Sequence, residues 1–392
     1  MKKFGLLPKI IAAIILGIIA GNIAPEPVIR FFATFNGLFG GFIGFAIPLI
    51  IIGFIAPGIS QIGKGAGKLL GLTILFAYGS TVLAGLLAYT AGSQLLPGFI
   101  SGSTLQNMEN PEEFLLEGFF KVEMAPVMGV MTALLFAFVL GIGTAAVNAA
   151  ALQRVLEDFR SIIEKLITVI IIPLLPFHIF GIFANMTFGG QVQDILSIFA
   201  RVFLLIILLH FTMLLIQFTA SGLLTRSNPL KLFKTMLPAY FTALGTQSSA
   251  ATIPVTLRQV KTTSVKSKIA DFSVPLLATI HLSGSTITIT SLGMGVMLLH
   301  GDMPILSSML PFIFMLGITM IAAPGVPGGA VVAASGLFMS MLGFSETMVT
   351  LMIALYLAQD SFGTAANVTG DGALTMLLNR FSKNDHHDSV SS

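Results

Sequence analysis

Apolar runs long enough to cross about 30 Å of hydrocarbon recur from one end of this chain to the other. Backbone groups at membrane depth must be paired within the segment, so the runs predict helices and an all-α polytopic membrane protein. With 55% hydrophobic and only 9% charged residues in 392, no polar stretch is long enough to form a soluble domain. The basic start MKKFGLLPKIIAAIILGIIAG has signal-peptide character, but it runs straight into a second apolar stretch and reads as a retained first span. The net charge of +3 sits in short loops, which speaks for membrane orientation and lipid contact and against nucleic acid. The absence of cysteine excludes disulfides, thiolate chemistry and cysteine-based metal sites.

Loop charges set the topology. Six spans are expected near 8–25, 35–58, 68–96, 124–150, 160–190 and 196–224. Lys2, Lys3, Lys9, Lys64 and Lys68 mark one side, the Glu109–Glu117 loop the other, and Arg226, Lys231 and Lys234 return to the first. The positive-inside rule makes both termini cytoplasmic, in a bacterial-type inner (plasma) membrane. The alternation then fails. Arg258, Lys261, Lys266 and Lys268 follow a single apolar segment whose centre, Gly245 to Ser249, is polar and helix-poor. One crossing cannot begin and end on the same side, so this segment reads as a re-entrant hairpin. A span at 269–297 follows. After it, the uncharged stretch up to Glu346 is broken by Ala323-Pro324-Gly325-Val326-Pro327-Gly328-Gly329, which marks a second hairpin entered from the opposite side. The expected architecture is therefore eight transmembrane helices plus two opposed hairpins in inverted repeats. Such paired broken segments point to a midplane binding site in a secondary transporter.

The last span carries the chemistry. In Gln359–Asp371 (QDSFGTAANVTGD), Asp360 and Asp371 stand eleven residues apart, about three turns along one helix face. Thr364 lies one turn from Asp360, and Asn367 one turn from Asp371. Carboxylates at membrane depth are costly and line substrate or ion paths. This face reads as a site for cations, for a substrate amine, or for both. His178, Arg201 and His210, in the fifth and sixth spans, read as structural. The polar tail from Lys383, including His386-His387, reads as disordered.

Three ordered motifs, Ser248-Ser249-Ala250-Ala251-Thr252-Ile253-Pro254, Gly325-Val326-Pro327-Gly328-Gly329 and Asn367-Val368-Thr369-Gly370-Asp371, resemble those of the dicarboxylate/amino acid:cation symporters, the glutamate transporter homologues. The resemblance covers essentially the whole chain. It implies a homotrimer working by an elevator motion. Residues 1–224 would be mostly scaffold, with spans three and six joining a transport core at 225–378, followed by a cytoplasmic tail at 379–392. It implies that Asp360 takes the substrate ammonium, with Thr364 and Asn367 beside it. The tips Gln247, Ser248, Ser249 and Gly325, Val326, Pro327, Gly328 would hold the α-carboxylate. It implies sodium ligation by Asn367, Asp371, Leu277 and Thr279.

This chain also departs from the family. Gly363 stands where acidic-substrate members place an arginine that grips a second carboxylate. The family's Asn-Met-Asp-Gly-Thr reads His281-Leu282-Ser283-Gly284-Ser285, which removes two ligands of one sodium site. His281 reads as a buried imidazole, a sodium-site neighbour or a proton carrier. Ser285, in that motif, falls in the substrate site. The leading expectation is a sodium-coupled symporter for a small neutral amino acid. An acidic amino acid or C4-dicarboxylate:cation (Na⁺ or H⁺) symporter is the alternative, with Gly363→Arg as the discriminating substitution. A remote rival is an intramembrane serine hydrolase using His281 with Ser283 or Ser285. No resident cofactor is expected.

Overall fold

The computed structural model describes residues 6–62, 68–100, 115–190, 192–323 and 327–382. Those residues are all-helical, without a strand. The first half comprises α1 (Leu6–Ile23), α2 (Glu26–Ile62), α3 (Lys68–Ile100), α4 (Val130–Ala146), α5 (Ala150–Leu166), α6 (Ile172–Phe188) and α7 (Val192–Thr225). The second comprises α8 (Pro229–Thr246), α9 (Ser249–Lys261), α10 (Ser267–Ile280), α11 (Ser283–Leu299), α12 (Leu306–Ala322), α13 (Gly329–Met341) and α14 (Glu346–Ser382). By length and composition, Glu26–Ser60, Leu69–Phe99, Ala150–Phe188, Leu196–Thr225 and Ser267–Leu299 can each cross a bilayer. With the shorter apolar helices, this is the make-up of a multi-pass membrane protein.

Three expectations from the sequence are corrected. The stretch 151–159, expected to link the fourth and fifth spans, is not a loop but part of the helix α5, which buries Leu156 and Ile163 and turns its charges outward. Its Arg160 pairs with Glu164 at 3.0 Å and lies over the Phe54 ring. A π-helical turn, Ile167–Ile171, joins α5 to α6 just ahead of Pro173, which lacks the N–H an α-helical turn would need. The fourth span begins later than expected. Residues 115–129 run without helix and are held from the side: Asn185 exchanges two hydrogen bonds with the backbone of Leu116, both at 2.9 Å, and Thr34 Oγ1 accepts the Phe119 N–H. The seventh span is not one helix. It breaks at His281-Leu282, where His281 is extended (φ −109°, ψ 102°).

The expected chain breaks appear at both other places. Asn228 caps α8 by accepting the Leu230 and Lys231 N–H groups, with Pro229 at the first helical position. Helix α8 ends in left-handed Gln247 (φ 54°), and Ser248 caps α9 through its hydroxyl, so α8 and α9 fold back on each other. Helices α12 and α13 do the same about left-handed Gly328 (φ 74°). The left-handed backbone at Gly328 favours glycine; a Cβ there would also meet the tip of the Leu357 side chain, Cδ2 at 2.6 Å, which would have to turn aside.

Helices α1, α2, α4, α5 and α6 pack chiefly on one another, while α3, α7, α8 and α11 gather around α14. A polar contact bridges the two groups: His178 on α6, which bonds Asn36 on α2 at 3.0 Å, also bonds Thr350 on α14 at 3.1 Å. Large apolar side chains such as Leu135, Val139, Leu204 and Leu208 face outward, as on lipid-facing helices. By contrast α11 is buried along its whole length, and α14, which carries the polar stripe, is buried over most of its own. The chain thus keeps its most polar helical face at its centre, which only internal partners or a ligand can satisfy.

Candidate functional site

The polar stripe of α14 runs Tyr356, Asp360, Gly363/Thr364, Asn367 and Asp371, at helical spacings of three and four. Every polar member is at most 6% exposed. The stripe faces the break between α10 and α11. That break leaves N–H groups at the start of α11 without intrahelical partners. Asn367 supplies the acceptor: its Oδ1 takes the N–H of Gly284 at 2.7 Å and of Ser285 at 3.2 Å. The approach is close enough that a Cβ on Gly284 would lie 2.5 Å from the Gly363 carbonyl oxygen.

Two clusters result. In the first, Asp360 Oδ2 accepts the N–H of Gly328 at 2.8 Å, and the hydroxyls of Tyr356 and Thr364 reach the same carboxylate. Tyr356 Oη lies 2.9 Å from Ser285 Oγ, and Asn367 Nδ2 donates to that oxygen at 3.0 Å. In the second, His281 Nδ1 meets Asp371 Oδ1 at 2.8 Å, and its Nε2 lies 3.0 Å from Ser80 Oγ on α3. Gln217 on α7 donates to Ser80 Oγ at 2.9 Å and to Ser283 Oγ at 3.3 Å, while its own Oε1 is buried without a partner. With Asp371 ionised, the hydrogen bond between them runs from His281 Nδ1–H to the carboxylate. Asn367 belongs to the first cluster and Asp371, one turn on, to the second.

Asp360, Thr364, Asn367, Gly363, Ser285 and Gly328 therefore come together, with Pro327 adjoining Gly328. Gly325 and Val326 lie outside the described residues, as does the tail with His386 and His387. His281 and Asp371 pair. Leu277 is buried, and its carbonyl accepts the His281 N–H at 2.9 Å. Thr279 does not join the cluster: it is exposed and its hydroxyl turns back to the Leu276 carbonyl. At the first tip the side-chain bonds are local, Ser248 Oγ to the Ala251 N–H and the Thr252 hydroxyl to the Ser248 carbonyl; Ser249 is buried, Gln247 and Ser248 partly so. Arg201 caps the end of α3 through the Phe99 carbonyl, and His210 ties α7 to Gly284 and Thr288 of α11.

Sequence reasoning missed Tyr356 and Gln217. Tyr356 had a signal, since it stands one turn before Asp360 on the stripe. Ser80 and Gln217 come from helices that sequence spacing alone does not align with α14. Both imidazole nitrogens of His281 are taken by Asp371 and Ser80, so Ser285 is not its partner.

A serine/threonine transporter SstT of Streptococcus suis is 29% identical over 338 residues, covering 84% of this chain and 93% of that protein. One from Acinetobacter baumannii is 28% identical over 389 residues, covering 95% and 96%. One from Acinetobacter baylyi is 27% identical over 409 residues, covering 98% and 99%. These relatives are transporters and not enzymes, which removes the hydrolase rival. The pattern of the sodium:dicarboxylate symporter family matches residues 6–381, and the chain belongs to that family.

Proposed function

We propose that this protein is a secondary active symporter that imports a small neutral amino acid, driven by sodium, through an elevator-type alternation of access. Eight spans and two opposed re-entrant hairpins form it. Helices α3, α7 and α8–α14 move as the transport core against a scaffold of α1, α2 and α4–α6, within a homotrimer in the inner membrane, both termini cytoplasmic. The packing of the two helix groups supports that division.

The observation that carries the substrate is Asp360. Among the described residues its buried carboxylate has no Lys or Arg partner; it is held by the Gly328 N–H and by hydroxyls. A buried charge so held awaits a cation, and an amino acid's ammonium is a fitting one. Gly363 leaves a second carboxylate on the substrate without a guanidinium, which disfavours aspartate, glutamate and C4-dicarboxylates. The names of the relatives, serine/threonine transporters, point the same way. The α-carboxylate would lie against the N–H groups of the two tips, Gln247–Ser249 and Gly325–Gly328.

A second reading concerns the ion alone. The family's name points to sodium; its ligands would be Asp371, Asn367 and the backbone oxygens of Leu277 and Thr279. In this arrangement His281 stands against Asp371, and Asn367 Oδ1 is engaged by α11, which favours a proton in place of one sodium ion.

Uptake into proteoliposomes of labelled serine, alanine, threonine and aspartate, with and without an inward Na⁺ gradient, tests both. Sodium-driven uptake of neutral substrates with aspartate excluded is expected. Aspartate uptake overturns the reading of Asp360 and Gly363. Neutral uptake driven only by a pH gradient moves coupling to His281.

A further inference from the structure

We infer that Arg226 and Arg380 form a binding pocket for a phosphate-bearing anion at the inner face of the protein, and that the headgroup of an anionic lipid fills it. The pocket is separate from the α14 stripe and does not depend on the substrate reading. The end of α7, the turn between α9 and α10 and the last turn of α14 enclose a cavity of about 260 Å³, lined by Leu224, Thr225, Arg226, Ser264, Asn379 and Arg380. Both charged residues of the lining are arginines, and no carboxylate lines the cavity with them. Among the described residues neither guanidinium has a hydrogen-bond or ion-pair partner. Each stands at a helix C-terminus, where a cation is favoured. Arg201 serves the end of α3 by donating to the Phe99 carbonyl. Arg226 and Arg380 make no such bond, so capping leaves their donors unused.

The walls are held in place. Arg226 takes the left-handed position after α7 (φ 54°), while the Ser227 N–H closes the turn onto the Gly222 carbonyl at 2.9 Å. Glycine is the usual occupant of that position, and an arginine there carries backbone strain that no contact of its side chain offsets. Asn379, buried on α14, accepts the Lys266 N–H at 3.1 Å and donates to the Ser264 carbonyl at 3.3 Å. This clasp sets Ser264 in the wall, with its hydroxyl unbonded among the described residues. Two guanidinium forks and a hydroxyl are donors suited to the oxygens of a phosphate.

The surroundings favour a lipid as its source. Lys231, Lys234, Lys266 and Lys268 flank the same end of the helices. The positive-inside rule places such an end at the cytoplasmic leaflet, where anionic headgroups attract basic residues. Leu223, Leu224 and Leu230 are exposed beside the pocket and offer an apolar path for an acyl chain. A free phosphate would use the arginines and leave that path empty.

The test is thermal melting of the purified full-length protein in detergent, titrated with phosphatidylglycerol, phosphatidylcholine or inorganic phosphate. Phosphatidylglycerol at tenfold its half-saturating level should raise the melting temperature by about 3 °C. Phosphatidylcholine, whose phosphate is balanced by its choline, should not. In Arg226→Gln/Arg380→Gln the apparent affinity for phosphatidylglycerol should fall about thirtyfold, roughly fivefold per arginine. Lys231→Gln/Lys234→Gln removes the same charge outside the pocket, where salt screens it, and should leave the affinity within about twofold. A shift given by inorganic phosphate alone, and lost in the arginine variant, keeps the pocket and assigns it to free phosphate. No shift with either anion, an unchanged affinity in the arginine variant, or an equal fall in the lysine variant overturns the inference. Arg380→Gln by itself, on the exposed last turn of α14, keeps the test decisive should the change at Arg226 fail to fold. Uptake is not the readout, so the proposed function stands or falls separately.

Discussion

Replacing Asn367 with alanine strikes the point where α14 closes the break in its neighbour. In the native chain the Gly284 N–H donates to Asn367 Oδ1 at 2.7 Å and the Ser285 N–H at 3.2 Å, with the asparagine 1% exposed. The alanine methyl accepts neither, and burial keeps water from replacing it. The shorter bond counts as a fully lost buried partner and the longer one as a weak one, about 2–4 kcal/mol together, a lower bound because the Asn367 Nδ2 bond to Ser285 Oγ at 3.0 Å is lost as well. At about 2 °C per kcal/mol for a chain larger than 150–250 residues, the melting temperature should fall by about 4–8 °C. Thermal melting of the detergent-purified protein, followed by circular dichroism at a helix band, reads this out; with no cysteine and no tryptophan, thiol-dye and indole assays have nothing to report. Asn379→Ala is the control. It removes two longer bonds from the same helix, 3.1 Å to the Lys266 N–H and 3.3 Å to the Ser264 carbonyl, so a smaller loss is expected. Equal melting of Asn367→Ala and wild type would refute the reasoning, because the α11 N–H groups would then have other acceptors.

Two further outcomes follow from the clusters. Asp360→Asn keeps an acceptor for the Gly328 N–H but loses the charge, so serine uptake should fall by roughly 30-fold or more, from a loss of at least about 2 kcal/mol, with little change in melting; uptake and melting on one preparation check both. The double change His281→Asn with Ser283→Asp restores the family's oxygen ligands beside Asp371, and the apparent sodium affinity of uptake should rise about tenfold. A sodium titration that does not shift would show that the imidazole is not what displaces the ion.

The breaks at Gln247 and Gly328 were legible because their causes are local: a polar, helix-poor run in one case and Pro-Gly pairs in the other. The stripe of α14 was legible because a carboxylate in an apolar run has few reasons to be there. The break at His281-Leu282 was not, since neither residue breaks helices and no proline or glycine sits at the break itself. It exists because Asn367, far along the chain, accepts the N–H groups that a continuous helix would have used internally. Helix α5 was hidden for the opposite reason, as its charges at helical spacing look like loop charges when they are only counted. Tyr356 stands one turn before Asp360 on the same stripe, and the position of its oxygen, 2.9 Å from Ser285 Oγ, is what joins it to the site.

The sharing of Asn367 and Asp371 between two clusters one turn apart has a thermodynamic consequence. Both clusters press on the first turn of α11, Ser285 from one side and His281, just before the break, from the other. If substrate binding repositions that turn, it alters the free energy of whatever occupies the Asp371 cluster, and reciprocity requires the occupant to alter substrate affinity by the same factor. The coupling that defines a symporter would then need no distant relay. It would reside in a single helix start held by one amide, and its strength could be read as the ratio of substrate affinities with and without the ion.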